Sequence, residues 1–188
     1  MKNILRPALL LTVAFTVLTG VAYPLAMTGL AQALFPAAAQ GSLIAGADGT
    51  VIGSALIGQN FASDKYFHGR PSAAGKDGYD ATGSSGSNLA PSSKALVDAV
   101  KQRVADLGGG PVPGDLVLAS ASGLDPDISP EAATFQVTRV AKARNLAEDK
   151  VKALVAAQTQ SPQLGFLGEP HVNVLQLNLA LDRIASTP

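Results

Sequence analysis

Few residues in this sequence have the type and spacing that chemistry requires. His68 and His171 are the two histidines, and cysteine is absent. Neither histidine has a carboxylate motif beside it, so a zinc site would need the fold to bring distant ligands together. Gly75-Lys76 is the nearest approach to a phosphate-binding loop. Its first glycine would fall at position 70, which is Arg70, and Asp77 stands where magnesium binding wants a hydroxyl. The run Gly83-Ser84-Ser85-Gly86-Ser87 lacks the Gly-x-Ser-x-Gly order of a nucleophile elbow. Lys94 follows Pro91 at three residues rather than the serine of a Ser-x-x-Lys pair. Asp125 and Asp127 are spaced for calcium, or for the turn that leads into a helix. Arg139, Lys142 and Arg144 lie on one predicted helix and can face an anion, an acidic partner or solvent. The residues by themselves therefore point to no bound cofactor, no metal and no catalytic constellation.

Composition narrows the classes further. Of 188 residues, 47% are hydrophobic and 15% charged, which suits a packed core and excludes a disordered chain. Basic and acidic side chains number 14 each, so no global field steers nucleic acid. Aromatics are 5% with no tryptophan, too few for a base-stacking surface. A domain of this size can stand in an oxidising compartment without disulfides.

The elements that must carry these residues begin with an anchor. No charge occurs between Arg6 and Asp48, and residues 8–35 are almost wholly apolar. A membrane-crossing helix needs about 20 such residues. The reading is a cytoplasmic N-terminus over 1–6, a transmembrane helix over 7–35, a linker over 36–49 and an extracytoplasmic domain over 50–188. Lys2 and Arg6 flank only the N-terminal end, and positive flanks stay inside. The rival is a cleaved signal ending near Ala37-Ala38-Ala39, but the apolar run exceeds the 7–15 residues that such signals use. Pro24 removes one main-chain donor and predicts a kink near Gly20. Gly20, Ala22, Ala26 and Gly29, with Thr12, Thr16 and Thr19, form a small-residue side fit for close helix packing or for ordinary lipid contact.

The outer domain reads as α+β. A strand is expected over Thr50–Ile57, and a short one over Leu116–Ser120. Helices are expected over Ser92–Leu107, from the cap Ser129-Pro130 to Arg144, over Ala147–Gln158, and over Asn173–Ile184 with Asn173 as cap. Between them, residues 58–91 hold six glycines and many serines without period. Long irregular segments of this kind tend to be functional.

With these segments placed, five stretches in register resemble the C chain of the Kdp potassium-transporting ATPase. They are Gly58-Gln59-Asn60-Phe61 with Tyr66 to Ala73; Ser85 to Leu89, including Ser87 and Asn88; Leu118 to Pro130, including Ser122 and Gly123; Gln136 with Arg139 to Arg144; and Gly168 to Asp182, including Asn173. His171 and Leu118 depart from the family pattern. The resemblance covers the whole chain, anchor included. It implies a single-pass, non-catalytic accessory subunit of an ATP-driven potassium uptake pump in the bacterial inner membrane. The implied partners are a P-type ATPase subunit, a channel-like potassium-binding subunit and a small single-span subunit, besides membrane lipid and with no nucleic acid. It also implies a catalytic chaperone that raises the ATP affinity of the ATPase subunit. ATP enters by this resemblance alone, since the charge asymmetry puts the main domain on the side away from ATP.

Phe61, Tyr66, Phe67 and Tyr79 gather four of the nine aromatics in the 58–91 loop. With Arg70, Asp125 and Asp127 they form an expected partner interface, because aromatics and arginine anchor interfaces. The alternative at this point is that the rings pin the loop to its own domain. Gln59, Ser72, Ser87, Asn88, Ser122, Gly123, Gln136, Arg139 and Asn173 are the further residues that the family motif picks out. Two other functions stay open: a membrane-anchored extracytoplasmic enzyme using this loop, or a solute-binding module.

Overall fold

The computed structural model describes residues 2–46 and 48–185. The chain divides into two compact units, one up to Ile52 and one from Gly53 onward.

The first unit is dominated by one long helix. It comprises α1 (Lys2–Val17), a π-helical turn (Leu18–Ala22) and α2 (Tyr23–Leu34). Residues Ile4–Leu34 make the one helix among the described residues that is long and apolar enough to cross a membrane. At 1.5 Å per residue its 31 residues span about 46 Å, more than the roughly 30 Å hydrocarbon layer. The expected irregularity near Gly20 takes the form of the π turn, in which the Tyr23 amide donates to Leu18 O. Pro24, one residue on, has no N–H to continue the ladder. The Thr19 hydroxyl donates to Phe15 O at 2.7 Å, returning one polar group to the helix itself. The stretch expected as a plain linker carries a helical turn, α3 (Pro36–Ala39), and a strand, β1 (Leu43–Ala45), which pairs with β2 (Val51–Ser54). The strand expected over Thr50–Ile57 stops at Ser54, because the Ser54 hydroxyl accepts the Leu56 amide at 3.1 Å and turns the chain.

The second unit is α+β. Helix α4 (Lys94–Asp106) matches the expected amphipathic stripe, yet buries no residue completely. Three glycines at positive φ, Gly108 to Gly110, end it. The short strand expected over Leu116–Ser120 is absent: a 3₁₀ turn occupies Gly114–Leu116. The Leu118 amide donates back to Gly114 O, and Arg103 Nη1 donates to Val117 O at 2.7 Å. With those groups engaged, the segment has no ladder to join.

β3 (Asp127–Ile128), β4 (Thr159–Gln160) and β5 (His171–Asn173) form a small antiparallel sheet in the order β3-β5-β4, with Ile128 and Thr159 both opposite Val172. α5 (Pro130–Arg144) opens with the Ser129 side chain accepting the Ala132 amide, as its Ser-Pro start predicts. It closes on Asn145 at φ 55°, with Asn145 N–H to Lys142 O and Leu146 N–H to Ala141 O, a Schellman ending. That ending returns the chain into α6 (Glu148–Gln158). α7 (Val174–Ala185) starts with Asn173 Oδ1 accepting the Gln176 amide at 3.1 Å. Val137 and Val140 from α5, Val151 and Val155 from α6, and Leu177 and Leu181 from α7 close one core, joined by Val172, Ile128, Leu116 and Phe67.

Candidate partner-binding surface on the 58–91 loop

The loop has almost no regular structure, but it is firmly held. Phe67 is fully buried in the core, and the main chains of Phe67 and His68 are gripped by two side-chain amides. Asn178, on α7, accepts the Phe67 amide at 2.8 Å and donates to the Phe67 carbonyl at 3.0 Å. Gln136, on α5, accepts the His68 amide at 2.8 Å and donates to the His68 carbonyl at 3.0 Å. Two helices thus give consecutive loop residues what a neighbouring strand would give them.

The basic side chains of α5 serve the same end. Arg139 donates to the carbonyls of Asp64 and Tyr66 and to Gln136 Oε1. Arg144 donates to the Lys65 carbonyl at 2.7 Å, pairs with Asp182 at 2.7 Å and stacks over the Tyr66 ring at 4.6 Å. Neither arginine is the open anion site or solvated face that the sequence left open. Both are spent on loop residues Asp64 to Tyr66.

A second set of bonds ties the loop to residues 120–125. Gly58 N–H donates to Leu124 O, Ser85 N–H to Ser122 O, and Ser120 N–H to Pro71 O. The Ser72 hydroxyl donates to Gly123 O at 2.6 Å and accepts the amides of Ala74 and Tyr79. Arg70 pairs with Asp125 at 3.0 Å, and the Tyr79 hydroxyl donates to the Arg70 carbonyl at 2.7 Å. Burial, assisted by the Asp125 charge, pushes the Tyr79 phenol up to about 12. Asp127 accepts from Asn173 Nδ2, which also reaches Ala55 O. Burial raises the Asp127 carboxyl above its usual value, while the Asn173 bond works against it. Asp125 and Asp127 are thus parts of the turn into α5 and of its contacts. Among the described residues no group of three or more His, Asp or Glu is placed to hold a metal ion.

The structure sorts the expected interface residues. Phe67 is inside the core and presents nothing to a partner. Phe61 and Tyr66 are half-buried with ring centroids 5.5 Å apart, and Phe61 packs against the core. The pinning role of the rings is therefore on view. Phe61, Arg70 and Tyr79, with Gln59, His68 and Gln136, line a cleft of about 500 Å³. Ser122, Ser87 and Asn88 are exposed, Asn88 with φ 52°. Reasoning from sequence missed Asn178, whose only signal was a polar residue one turn after Val174 on the inward stripe of α7.

His68 is expected to give the loop a pH dependence. Its Nε2 lies 3.1 Å from Ser63 O. Burial holds the imidazole below its ordinary 6.5, helped by the Arg139 charge and opposed by the Ser63 carbonyl and Asp64. A depressed histidine favours its neutral form in the fold, so its stabilising contribution is complete above the unfolded value and declines as pH falls through and below 6.5. The full chain in detergent should unfold at lower denaturant at about pH 5.5 than at about pH 7.5, and a His68→Gln variant should show a flatter difference. An unchanged slope in the variant would remove His68 as the titrating group.

The sequence model described as KdpC, the c chain of K⁺-transporting ATPase, matches residues 5–183. The chain belongs to the KdpC family. Among curated relatives it is 60% identical to the potassium-transporting ATPase KdpC subunit of Bradyrhizobium diazoefficiens, over 97% of this chain and 98% of that one. It is 58% identical to the KdpC subunit of Variovorax paradoxus over 99% of each, and 58% identical to that of Dechloromonas aromatica over 98% of this chain and the whole of the other. Three of the stretches that resemble KdpC meet in the loop bonds above: Tyr66 to Ala73, Ser120 to Asp125, and Gln136 to Arg144.

Proposed function

We propose that this chain is the non-catalytic accessory subunit of a potassium-transporting P-type ATPase, anchored by Ile4–Leu34 with its second unit outside the cytoplasm. The observation that supports this reading most is the full-length KdpC match combined with one apolar helix. Lys2 and Arg6 at one end of the span support the orientation. ATP hydrolysis and ion conduction then belong to the P-type ATPase subunit and the channel-like subunit, with a small single-span subunit as a further neighbour. The chain stabilises that assembly, and it raises the ATP affinity of the ATPase subunit through subunit contacts, without touching the nucleotide. The surface around the cleft, with Tyr66, Arg70 and Tyr79, serves as the meeting face.

The enzyme reading is disfavoured by the same geometry: the Ser72 hydroxyl is bonded three times to main chain and His68 Nε2 faces a carbonyl. The test is affinity purification of the full chain from spheroplasts in mild detergent. The ATPase and channel-like subunits should follow it in fixed ratio, and protease added outside the spheroplasts should reach the second unit. A chain that purifies alone, or whose second unit is protected until lysis, would overturn the reading.

A further inference from the structure

Between β4 and β5 the chain makes a hairpin whose tip is apolar and uncovered. Leu164 is 83% exposed, Phe166 74% and Leu167 50%. The tip is nonetheless ordered by its own bonds. Gln163 N–H donates to Leu167 O and Leu167 N–H to Gln163 O, both at 2.9 Å, while Phe166 N–H donates to Gln163 O at 3.2 Å. Leu164 and Gly165 turn the chain at φ 53° and 81°, and Pro162 and Pro170 stiffen its two sides. A leucine at positive φ is strained where glycine would not be. The hairpin therefore holds three large apolar side chains out in water, on a backbone that local preference alone would not choose.

We propose that the tip Gln163–Leu167 is an anchor that seats in an uncharged, apolar pocket on the outer face of a partner subunit. This rests on the accessory-subunit reading and adds the surface it uses. The charge pattern selects the occupant. No charged residue lies between Lys152 and Glu169. Segments that bind bilayer surfaces surround their apolar groups with lysine and arginine, and here the nearest flanking charge beyond the tip is the carboxylate of Glu169. A second copy of the chain is disfavoured by size, since three side chains fall well short of the roughly 800 Å² that each side of a stable pair contributes. A small anchor suffices when the chain is already tethered in the same membrane as its partner, because the span raises the effective concentration of the tip. The preformed turn lowers the ordering cost of seating.

The chain has no cysteine, so one introduced at the tip is a unique label. A Phe166→Cys chain, expressed alone or with the other subunits, is treated in spheroplasts with a membrane-impermeant maleimide. A Lys152→Cys chain serves as the exposed control. The expected result is at least tenfold slower labelling of the tip in the assembled complex than in the lone chain, with the control unchanged. Equal labelling in both overturns the anchor. Slow labelling in the lone chain as well assigns the tip to the lipid surface or to self-association and overturns it too. A second measurement guards against a lone chain that misfolds. The Leu164→Gly, Phe166→Ser double variant, which relaxes the turn while removing both side chains, should retain at least tenfold less of the partner subunits after detergent extraction, and full retention overturns the proposal. If the unmodified chain retains no partner subunits at all, the accessory-subunit reading fails; if it retains them and the tip labels freely, only the anchor does.

Discussion

Replacing Gly123 by alanine will loosen the 58–91 loop along its length and destabilise the second unit by about 2–4 kcal/mol. The residue sits at φ 67°, and a Cβ there would stand 2.5 Å from the Ser85 carbonyl oxygen, 2.7 Å from Ala74 Cβ and 2.8 Å from the Ala74 amide nitrogen. These are main-chain atoms and a methyl, none of which swings aside as a long side chain would. Gly123 is also bonded at both ends, its amide to the Ser120 hydroxyl and its carbonyl to that of Ser72. Moving it detaches Ser72, and with Ser72 the amides of Ala74 and Tyr79. Urea unfolding of the full chain in detergent should show the loss, and limited proteolysis should cut within residues 74–88 at much lower protease. A change below about 0.5 kcal/mol, the range of an ordinary surface substitution, would show that the loop is not held through this contact.

Asn178→Ala is the second large effect, at about 2–5 kcal/mol. The residue is 1% exposed, and its side chain satisfies both polar groups of the Phe67 main chain. Truncation leaves a buried N–H and a buried C=O unpaired, each worth about 1–3 kcal/mol. Those two groups are the ones that hold Phe67 in register above the core, so the ring loosens with them. Asn178→Asp is the sharper comparison: its carboxylate can still accept from the Phe67 amide but offers nothing to the Phe67 carbonyl. It should be destabilised nearly as much at neutral pH. Denaturant midpoints that leave Asn178→Ala equal to the wild type would mean that water replaces the amide and that the clamp is not structural.

Much of this architecture was legible in sequence because its signals are local. The apolar run of the span, the Ser129-Pro130 start of α5 and the stripes of α5, α6 and α7 each lie within a few residues of the elements they specify. The irregularity of 58–91 was equally plain. Its ordering was not, since the groups that order it are remote: Gln136 and Asn178 lie 68 and 111 residues from the main-chain atoms they grip. A buried glutamine and a surface glutamine look alike in a helical stripe. Arg139 and Arg144 misled for the same reason, reading as a solvated or ligand-facing edge until the carbonyls of Asp64 to Tyr66 are placed beneath them. The strand expected over Leu116–Ser120 failed because a short apolar run supports a strand or a buried turn equally. β3 to β5, at two or three residues each, are too short to show alternation.

The π turn in the span has a rotational consequence. One extra residue accommodated between Leu18 and Ala22 turns everything after it by roughly 100° relative to an unbroken helix. The small side chains of the first half, Thr12 and Thr16, and those of the second, Ala26 and Gly29, therefore do not continue one another down a single meridian. A straight neighbouring helix can follow one of these halves but not both. The span has two azimuths rather than one, and its small side chains are split between them.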